Sequence, residues 1–176
     1  MPDEGDFEQR LDRYARYDEY SDIVSSLQWL FTCTTELQSV VAHFERFPKF
    51  VVDDRKVTPD FTVLFHNGNA IVGEIATLAL HEGSVQSLAK QVDSYLRAAQ
   101  VPVGTGGRTA QVQSVGVLLL MPLNAASNTV DRLILQPEHG KTFAQPPCIA
   151  AYAREGDRRY NYNRIRHPGN GTLPDN

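Results

Sequence analysis

Thr58-Pro59-Asp60-Phe61-Thr62-Val63-Leu64-Phe65-His66-Asn67-Gly68-Asn69-Ala70-Ile71-Val72-Gly73-Glu74-Ile75-Ala76-Thr77 reads as a β-hairpin that sets two carboxylates side by side. Positions 61–65 and 70–77 are rich in β-branched and aromatic residues, the composition of strands. Between them His66-Asn67-Gly68 carries its glycine last, as a three-residue hairpin loop with an αL bulge requires. Such a loop pairs position 65 with 69. Counting back along the antiparallel ladder then places Asp60 opposite Glu74, where directly opposed side chains lie about 5 Å apart at Cβ. Like charges so placed destabilise a bare sheet. A hard divalent cation such as magnesium removes that penalty by taking carboxylate oxygens as ligands. The register decides the reading, because a slip of one residue sends Glu74 to the other face.

Working outward, residues 22–47 read as a long helix, broken near Cys33-Thr34-Thr35, with Cys33, Leu37, Val40, Val41 and Phe44 on one apolar face. Pro48 marks its end. Phe50 to Val52 forms a first short strand, and Asp53-Asp54-Arg55-Lys56 is a polar turn into the hairpin. Residues 84–100 read as a second helix facing inward through Val85, Leu88, Val92, Tyr95, Leu96 and Ala99. A glycine-rich loop, Val103-Gly104-Thr105-Gly106-Gly107, lacks the Lys-Ser/Thr ending of a phosphate cradle and reads as a surface connection. The apolar run from Ser114 to Met121 suits a strand buried on both faces. Helix, three strands, helix, strand is the expected order.

With 176 residues and 41% hydrophobic content, the chain holds one domain with a real core. Its plan is an acidic N-terminal extension over 1–22, a single domain over 23–166 and a flexible tail or linker over 167–176. Cys33 and Cys148 make no metal-binding spacing, and a reduced, cytoplasmic protein is the expectation. No apolar run approaches the roughly 20 residues that span a bilayer, so no membrane partner is expected. The net charge of −4 disfavours binding by nonspecific phosphate attraction alone. Charge is unevenly spread, however. Acidic residues outnumber Arg10, Arg13 and Arg16 near the start, while Arg154, Arg158, Arg159, Arg164 and Arg166 interleave with Tyr152, Tyr160 and Tyr162. That interleaving fits base stacking with phosphate contact, and it also fits a terminal hairpin whose tyrosines pack on the sheet.

Pro59-Asp60, a hairpin, and Glu74-Ile75 together resemble the first two parts of the PD-(D/E)XK nuclease signature, in which Pro-Asp precedes Glu-X-Lys on the next strand. Where that superfamily places its lysine, this chain has Ala76. Downstream, Gln91-Val92-Asp93-Ser94-Tyr95 is similar to the Gln-X-X-X-Tyr helix motif of the RecB-like branch. The resemblance covers the middle of the chain. It implies an α/β fold with a restriction-endonuclease-like core: a central mixed four- to five-stranded sheet flanked by helices, in the order α-β-β-β-α-β. It also implies hydrolysis of phosphodiester bonds in DNA or RNA.

Carried onto these positions, the resemblance makes Asp60 and Glu74 the ligands of one or two Mg²⁺ or Mn²⁺ ions. The Ile75 carbonyl is then a further ligand, and Gln91 and Tyr95 shape the site. Lys90 has the sequence spacing of the catalytic lysine that moved onto this helix in some members, including the cap-snatching endonucleases of segmented negative-strand RNA viruses. At about 100° per residue, though, Lys90 falls almost opposite the Leu88, Val92, Tyr95 stripe, toward solvent. Glu36 and His43 would share a stripe of the first helix, and the resemblance gives either one a ligand role. Lys49, Arg55 and Lys56 are cations in the segment before the hairpin, and Ala76 can neither take a proton nor stabilise charge. Three readings stand. One is a metal-dependent nuclease. Another is a degenerate nuclease-fold domain serving as a nucleic-acid-binding or protein-interaction module. The last is an unrelated α/β domain in which Glu74 faces solvent unpaired. A homodimer or a larger multidomain assembly fits the first two.

Overall fold

The computed structural model describes residues 4–76, 82–104, 107–125, 145–156, 159–166 and 170–174. Helix α1 (Glu4–Cys33) is followed by a short helix α2 (Thr35–Gln38) and strand β1 (Val41–Arg46). Strands β2 (Phe50–Val52) and β3 (Arg55–Val57) lead to β4 (Phe61–Phe65) and β5 (Asn69–Ile75), and then to helix α3 (Glu82–Leu96). Strands β6 (Gln100–Pro102), β7 (Thr109–Gln111), β8 (Ser114–Pro122), β9 (Cys148–Arg154) and β10 (Tyr160–Arg164) complete the described elements. The fold is mixed α/β. Its main sheet has six strands in the order β1-β4-β5-β8-β9-β10, more than the four to five expected, and β2-β3 and β6-β7 form separate two-stranded ribbons. β5, β8 and β9 run parallel to one another, while β1-β4, β4-β5 and β9-β10 are antiparallel.

Helices cover both faces of this sheet. On one face Ile23, Val24, Leu27 and Phe31 of α1 pack against Phe44, Phe61, Val63, Ile71, Ile75, Leu118 and Leu120. On the other, Leu88, Val92 and Tyr95 of α3 pack against Val72, Val117, Leu119, Met121 and Ile149. The alternation along β8, with Leu118 and Leu120 to one side and Val117, Leu119 and Met121 to the other, is the period of two made visible by burial on both faces.

The expected helix over 22–47 is corrected. α1 reaches back to Glu4 and ends at Cys33; of the residues that continued its apolar stripe, Leu37 lies on α2, Val40 between α2 and β1, and Val41 and Phe44 on β1. At the helix end the hydroxyls of Thr32 and Thr34 donate to the carbonyls of Gln28 and Leu30, at 2.7 and 2.6 Å. Such back-bonding by β-branched residues weakens a helix. β1 is also required from outside. It pairs with β4 from Val41↔Phe65 to Arg46↔Phe61, satisfying a strand edge that would otherwise expose the backbone of a buried hairpin. Phe50–Val52, expected as the first strand of the sheet, instead pairs with Arg55–Val57 in a ribbon of its own. The second helix ends at Leu96, Gln100 opens β6, and Ala99 is exposed. Residues 77–81, which include Thr77, lie outside the described ones, as do Thr105, Gly106, Arg158 and 167–169, and the side chain of Val85.

The expected flexible tail is docked over its described part. Asn170 is 7% exposed. Its Oδ1 accepts the Ile149 N–H at 2.6 Å, and its Nδ2 donates to the Ile149 and Ile165 carbonyls at 2.9 and 2.7 Å. The amide thus extends the β9–β10 ladder where β10 runs out. Gly171 donates its N–H to Pro147 O at 3.0 Å, and Arg164 Nη2 donates to Gly171 O at 2.9 Å. Asn170→Ala would strand buried backbone groups and is expected to cost about 2–3 kcal/mol. Urea denaturation reads this directly, and an unchanged midpoint would mean that the segment does not hold the sheet end.

The aromatic residues of the β9–β10 hairpin face the core. Tyr152 and Tyr160 are buried, and the Tyr162 hydroxyl donates to Ile23 O of α1 at 3.3 Å. Arg154, Arg159, Arg164 and Arg166 are exposed. Packing on α1 is therefore what those tyrosines do, which removes them as a stacking platform for bases.

Candidate functional site

β4 and β5 pair from Leu64↔Ala70 to Phe61↔Gly73, the register expected from the loop. That loop closes through Gly68, whose φ of 84° is the αL conformation and whose N–H donates to Phe65 O at 3.0 Å. One step beyond Phe61, Asp60 adjoins Glu74. The Asp60 N–H donates to Gly73 O at 3.0 Å, and its own carbonyl accepts the Phe47 N–H at 2.8 Å. The side chain replaces the next rung, since Asp60 Oδ2 accepts the Ile75 N–H at 2.6 Å. Asp60 is only 4% exposed.

Glu74 lies two residues past Val72, on the face covered by α3. There its Oε2 accepts a hydrogen bond of 2.9 Å from the hydroxyl of Tyr95, which is itself 2% exposed. The Leu88, Val92, Tyr95 stripe that packs α3 on the sheet is also what aims the hydroxyl at β5. Burial disfavours the charge of both carboxylates. Burial pushes Asp60 up to about 8, with the negative charge of Glu74 adding to it and the Ile75 N–H partly offsetting it. Burial pushes Glu74 up to about 7, offset in part by the Tyr95 hydroxyl. Burial, followed by the neighbouring charge of Glu74, also raises Tyr95, which stays a neutral donor.

Other candidates lie apart from this pair. Lys90 is exposed, as its helical phase requires, and Gln91 is exposed as well rather than turned to the hairpin. Glu36 sits exposed on the four-residue helix α2, so it shares no stripe with His43. Glu36 precedes Val41, which pairs with Phe65, whereas Asp60 is bonded to Phe47 at the other end of β1. About 16 Å of strand separates those ends, and Glu36 is therefore too distant to be a ligand of the pair. His43 lies on β1 with Nε2 at 2.8 Å from Glu45 Oε2, and the same carboxylate oxygen accepts the Gly104 N–H at 3.1 Å. That junction pins the glycine loop between β6 and β7 to the sheet. Lys49, Arg55 and Lys56 are exposed. Ala76 is half-buried, packs against the core beneath α3 and donates its N–H to Leu120 O at 2.8 Å.

Family models, curated proteins and solved structures give no match to this chain. The site's chemistry therefore rests on its own residues. Among the described residues, no group of three or more His, Cys, Asp or Glu side chains is arranged around a common point. Two adjacent carboxylates remain. They fit magnesium or manganese, because such ions accept one or two protein carboxylates and complete their shell with water and substrate oxygens. Burial raises both acids, and the charge of Glu74 adds to the rise of Asp60; a cation between them would offset both costs. No helix among the described residues is long and apolar enough to cross a membrane.

Two features of the site carry no signal in the sequence. One is the use of the Asp60 carboxylate as a ladder acceptor for Ile75. The other is the pinning of the glycine loop by His43 and Glu45, whose Nε2 and Oε2 both accept the Gly104 N–H, because nothing in the sequence ties position 104 to positions 43 and 45.

Proposed function

We propose that the protein is a metal-dependent nuclease that hydrolyses phosphodiester bonds of DNA or RNA at Asp60 and Glu74, built on a restriction-endonuclease-like core. The observation that carries this reading is a buried and a half-buried carboxylate side by side at the C-terminal end of β5, each held by one neutral donor. The antiparallel β1-β4-β5 unit, with β8 parallel to β5 after α3, supports the same reading. Mg²⁺ or Mn²⁺ at the pair would supply Lewis acidity and charge neutralisation at a phosphoryl group. The protein's own contribution is positional. The Ile75 N–H and the Tyr95 hydroxyl each occupy one carboxylate oxygen, fixing the orientation of both side chains and leaving the second oxygen of each to a cation.

A second reading has its own support. Ala76 presents a methyl group where a lysine would orient water or stabilise charge, and Lys90 is exposed on α3. In that reading the domain keeps the fold and binds nucleic acid or protein without cleaving. Manganese calorimetry on wild type, Asp60→Asn and Glu74→Gln, run beside cleavage of labelled single- and double-stranded DNA and RNA, decides between them. The nuclease reading expects measurable binding heat in wild type, its loss in both variants and a drop in cleavage on the order of 10³-fold. A wild type that binds no manganese would sink it.

A further inference from the structure

The segment between β1 and β4 leaves the sheet and returns to the same point. Its base is the hydrogen bond from the Phe47 N–H to Asp60 O, at 2.8 Å, so this excursion begins and ends at the candidate site. Between those residues β2 and β3 form a ribbon with Phe50↔Val57, Val51↔Lys56 and Val52↔Arg55 paired. Several features make it a rigid arm. Pro48 and Pro59, both buried, restrict the two stalks. Phe50 and Val52 anchor it in the core beneath α3. The turn is made by Asp53 and Asp54 at φ 47° and 62°, a conformation tight enough to match the twist of a two-residue hairpin and costly for non-glycine residues.

Fold stability does not account for the arm's outer face. Lys49 and Lys56 are exposed there beside a half-exposed Val51, while Arg55, paired with Val52 on the other face, is exposed next to the turn. Arg97, at the end of α3, spans to the arm and holds Asp53 at 2.6 Å, removing one of the two acids at the tip from competition for these cations. The arm itself carries Lys49, Arg55 and Lys56 against Asp53 and Asp54, a net charge of +1, and Arg97 beside it brings the local total to +2 on a chain whose total is −4. Lys56 lies four residues from Asp60, within about 14 Å at Cα. Lys49 lies two residues from Phe47 at the base, within about 7 Å of it. None of the three reaches the carboxylates as an ion-pair partner among the described residues. They flank the site rather than complete it.

We propose that the β2–β3 arm is a docking surface for the phosphodiester backbone of a polynucleotide, with Lys49, Arg55 and Lys56 contacting phosphates adjacent to the one at Asp60 and Glu74. This rests on the nuclease reading for the position of the reacting phosphate, but contact with the arm needs no cleavage. It also resolves how an acidic chain holds an acidic polymer beside two carboxylates: attraction is supplied locally, by the exposed cations of this ribbon, against an unfavourable net charge.

The test is fluorescence anisotropy in EDTA with labelled 20-nucleotide single strands of DNA and of RNA, across a sodium chloride series. The proteins compared are wild type, a Lys49→Gln/Arg55→Gln/Lys56→Gln variant, and a charge-keeping Lys49→Arg/Arg55→Lys/Lys56→Arg variant, each checked for an unchanged thermal unfolding curve. Neutralisation is expected to weaken binding on the order of 10- to 100-fold at 0.1 M salt. It is also expected to reduce the slope of log K against log salt by about 2, as the loss of three single-strand phosphate contacts requires, while the charge-keeping variant binds as wild type. Unchanged affinity and slope in the neutral variant would overturn the inference, as would equal loss in both variants or competition by polyglutamate as effective per charge as the oligonucleotide. Because EDTA removes metal chemistry, a failure of manganese-dependent cleavage in wild type would count against the nuclease reading alone and would leave the arm's result standing.

Discussion

Gly73→Ala is expected to lower stability by about 3 kcal/mol and the melting temperature by roughly 6–12 °C. A Cβ at position 73 would lie 2.0 Å from Phe61 Cζ and 2.1 Å from Cε1, inside the ring's own volume. Phe61 is the cross-strand partner of Gly73, and the Cζ end of its ring fills the space a side chain there would take. It has no direction in which to retreat, being fully buried and stacked on Phe44 with centroids 5.5 Å apart and planes 5° apart. The cost should be shared with the site, because Gly73 O accepts the Asp60 N–H and Gly73 immediately precedes Glu74. Weakened manganese binding in the surviving folded protein is therefore expected alongside the lower melting temperature. Adding Phe61→Leu opens space above position 73 and should restore part of the loss seen with Gly73→Ala alone. A melting temperature within about 2 °C of wild type for Gly73→Ala would mean that this aromatic cover is not what closes the hairpin.

The hairpin is readable in the sequence because its register is a local property. A three-residue loop ending in an αL glycine determines which residues face each other, and that determination propagates to Asp60 and Glu74 without help from the rest of the fold. α3 is readable for a similar reason, since Leu88, Val92 and Tyr95 repeat at helical spacing and all three are buried. Residues 34–47 mislead because their apolar positions satisfy a helical stripe, while the fact that decides them is non-local. β4 needs a partner on its outer edge, and β1 supplies it, overriding a pattern that is only a weak preference. Glu36 is misplaced by the same error. With the chain extended through β1, it falls at the end of the sheet away from Asp60. The docking of Asn170 is unreadable for a different reason. A segment of proline, glycine and asparagine has no periodicity, and whether an asparagine amide finds open backbone groups depends on where another strand happens to end.

Without metal, the melting temperature of wild type is expected to fall between about pH 4 and pH 8, and in Asp60→Asn/Glu74→Gln that fall should largely disappear. In the folded protein Asp60 and Glu74 hold their protons up to about 8 and about 7, against ordinary values of 3.8 and 4.5. Below about pH 4, both carboxyls are largely protonated whether the chain is folded or not. As pH rises, the unfolded chain releases both protons while the folded chain keeps them. The stability present at low pH is therefore lost progressively until the folded pair itself titrates. Each group can contribute at most about 1.4 kcal/mol per pH unit, and a combined loss on the order of several kcal/mol is expected. The double amide variant has no such protons to lose, and the amide oxygen introduced at position 60 can still accept the Ile75 N–H, so it should be more stable than wild type at about pH 8. Manganese should reverse the wild-type loss. A cation taken up by the deprotonated pair at about 100 times its dissociation constant adds about 2.7 kcal/mol, and the increment should grow with pH because binding displaces protons. Differential scanning fluorimetry across this pH range, with and without manganese, reads both halves. A flat wild-type profile would deny that burial, with the charge of Glu74 on Asp60, destabilises the ionised pair. An equal manganese shift in wild type and variant would place the ion elsewhere. A falling profile rescued by manganese in wild type alone would tie the strain in this hairpin to the ion that relieves it.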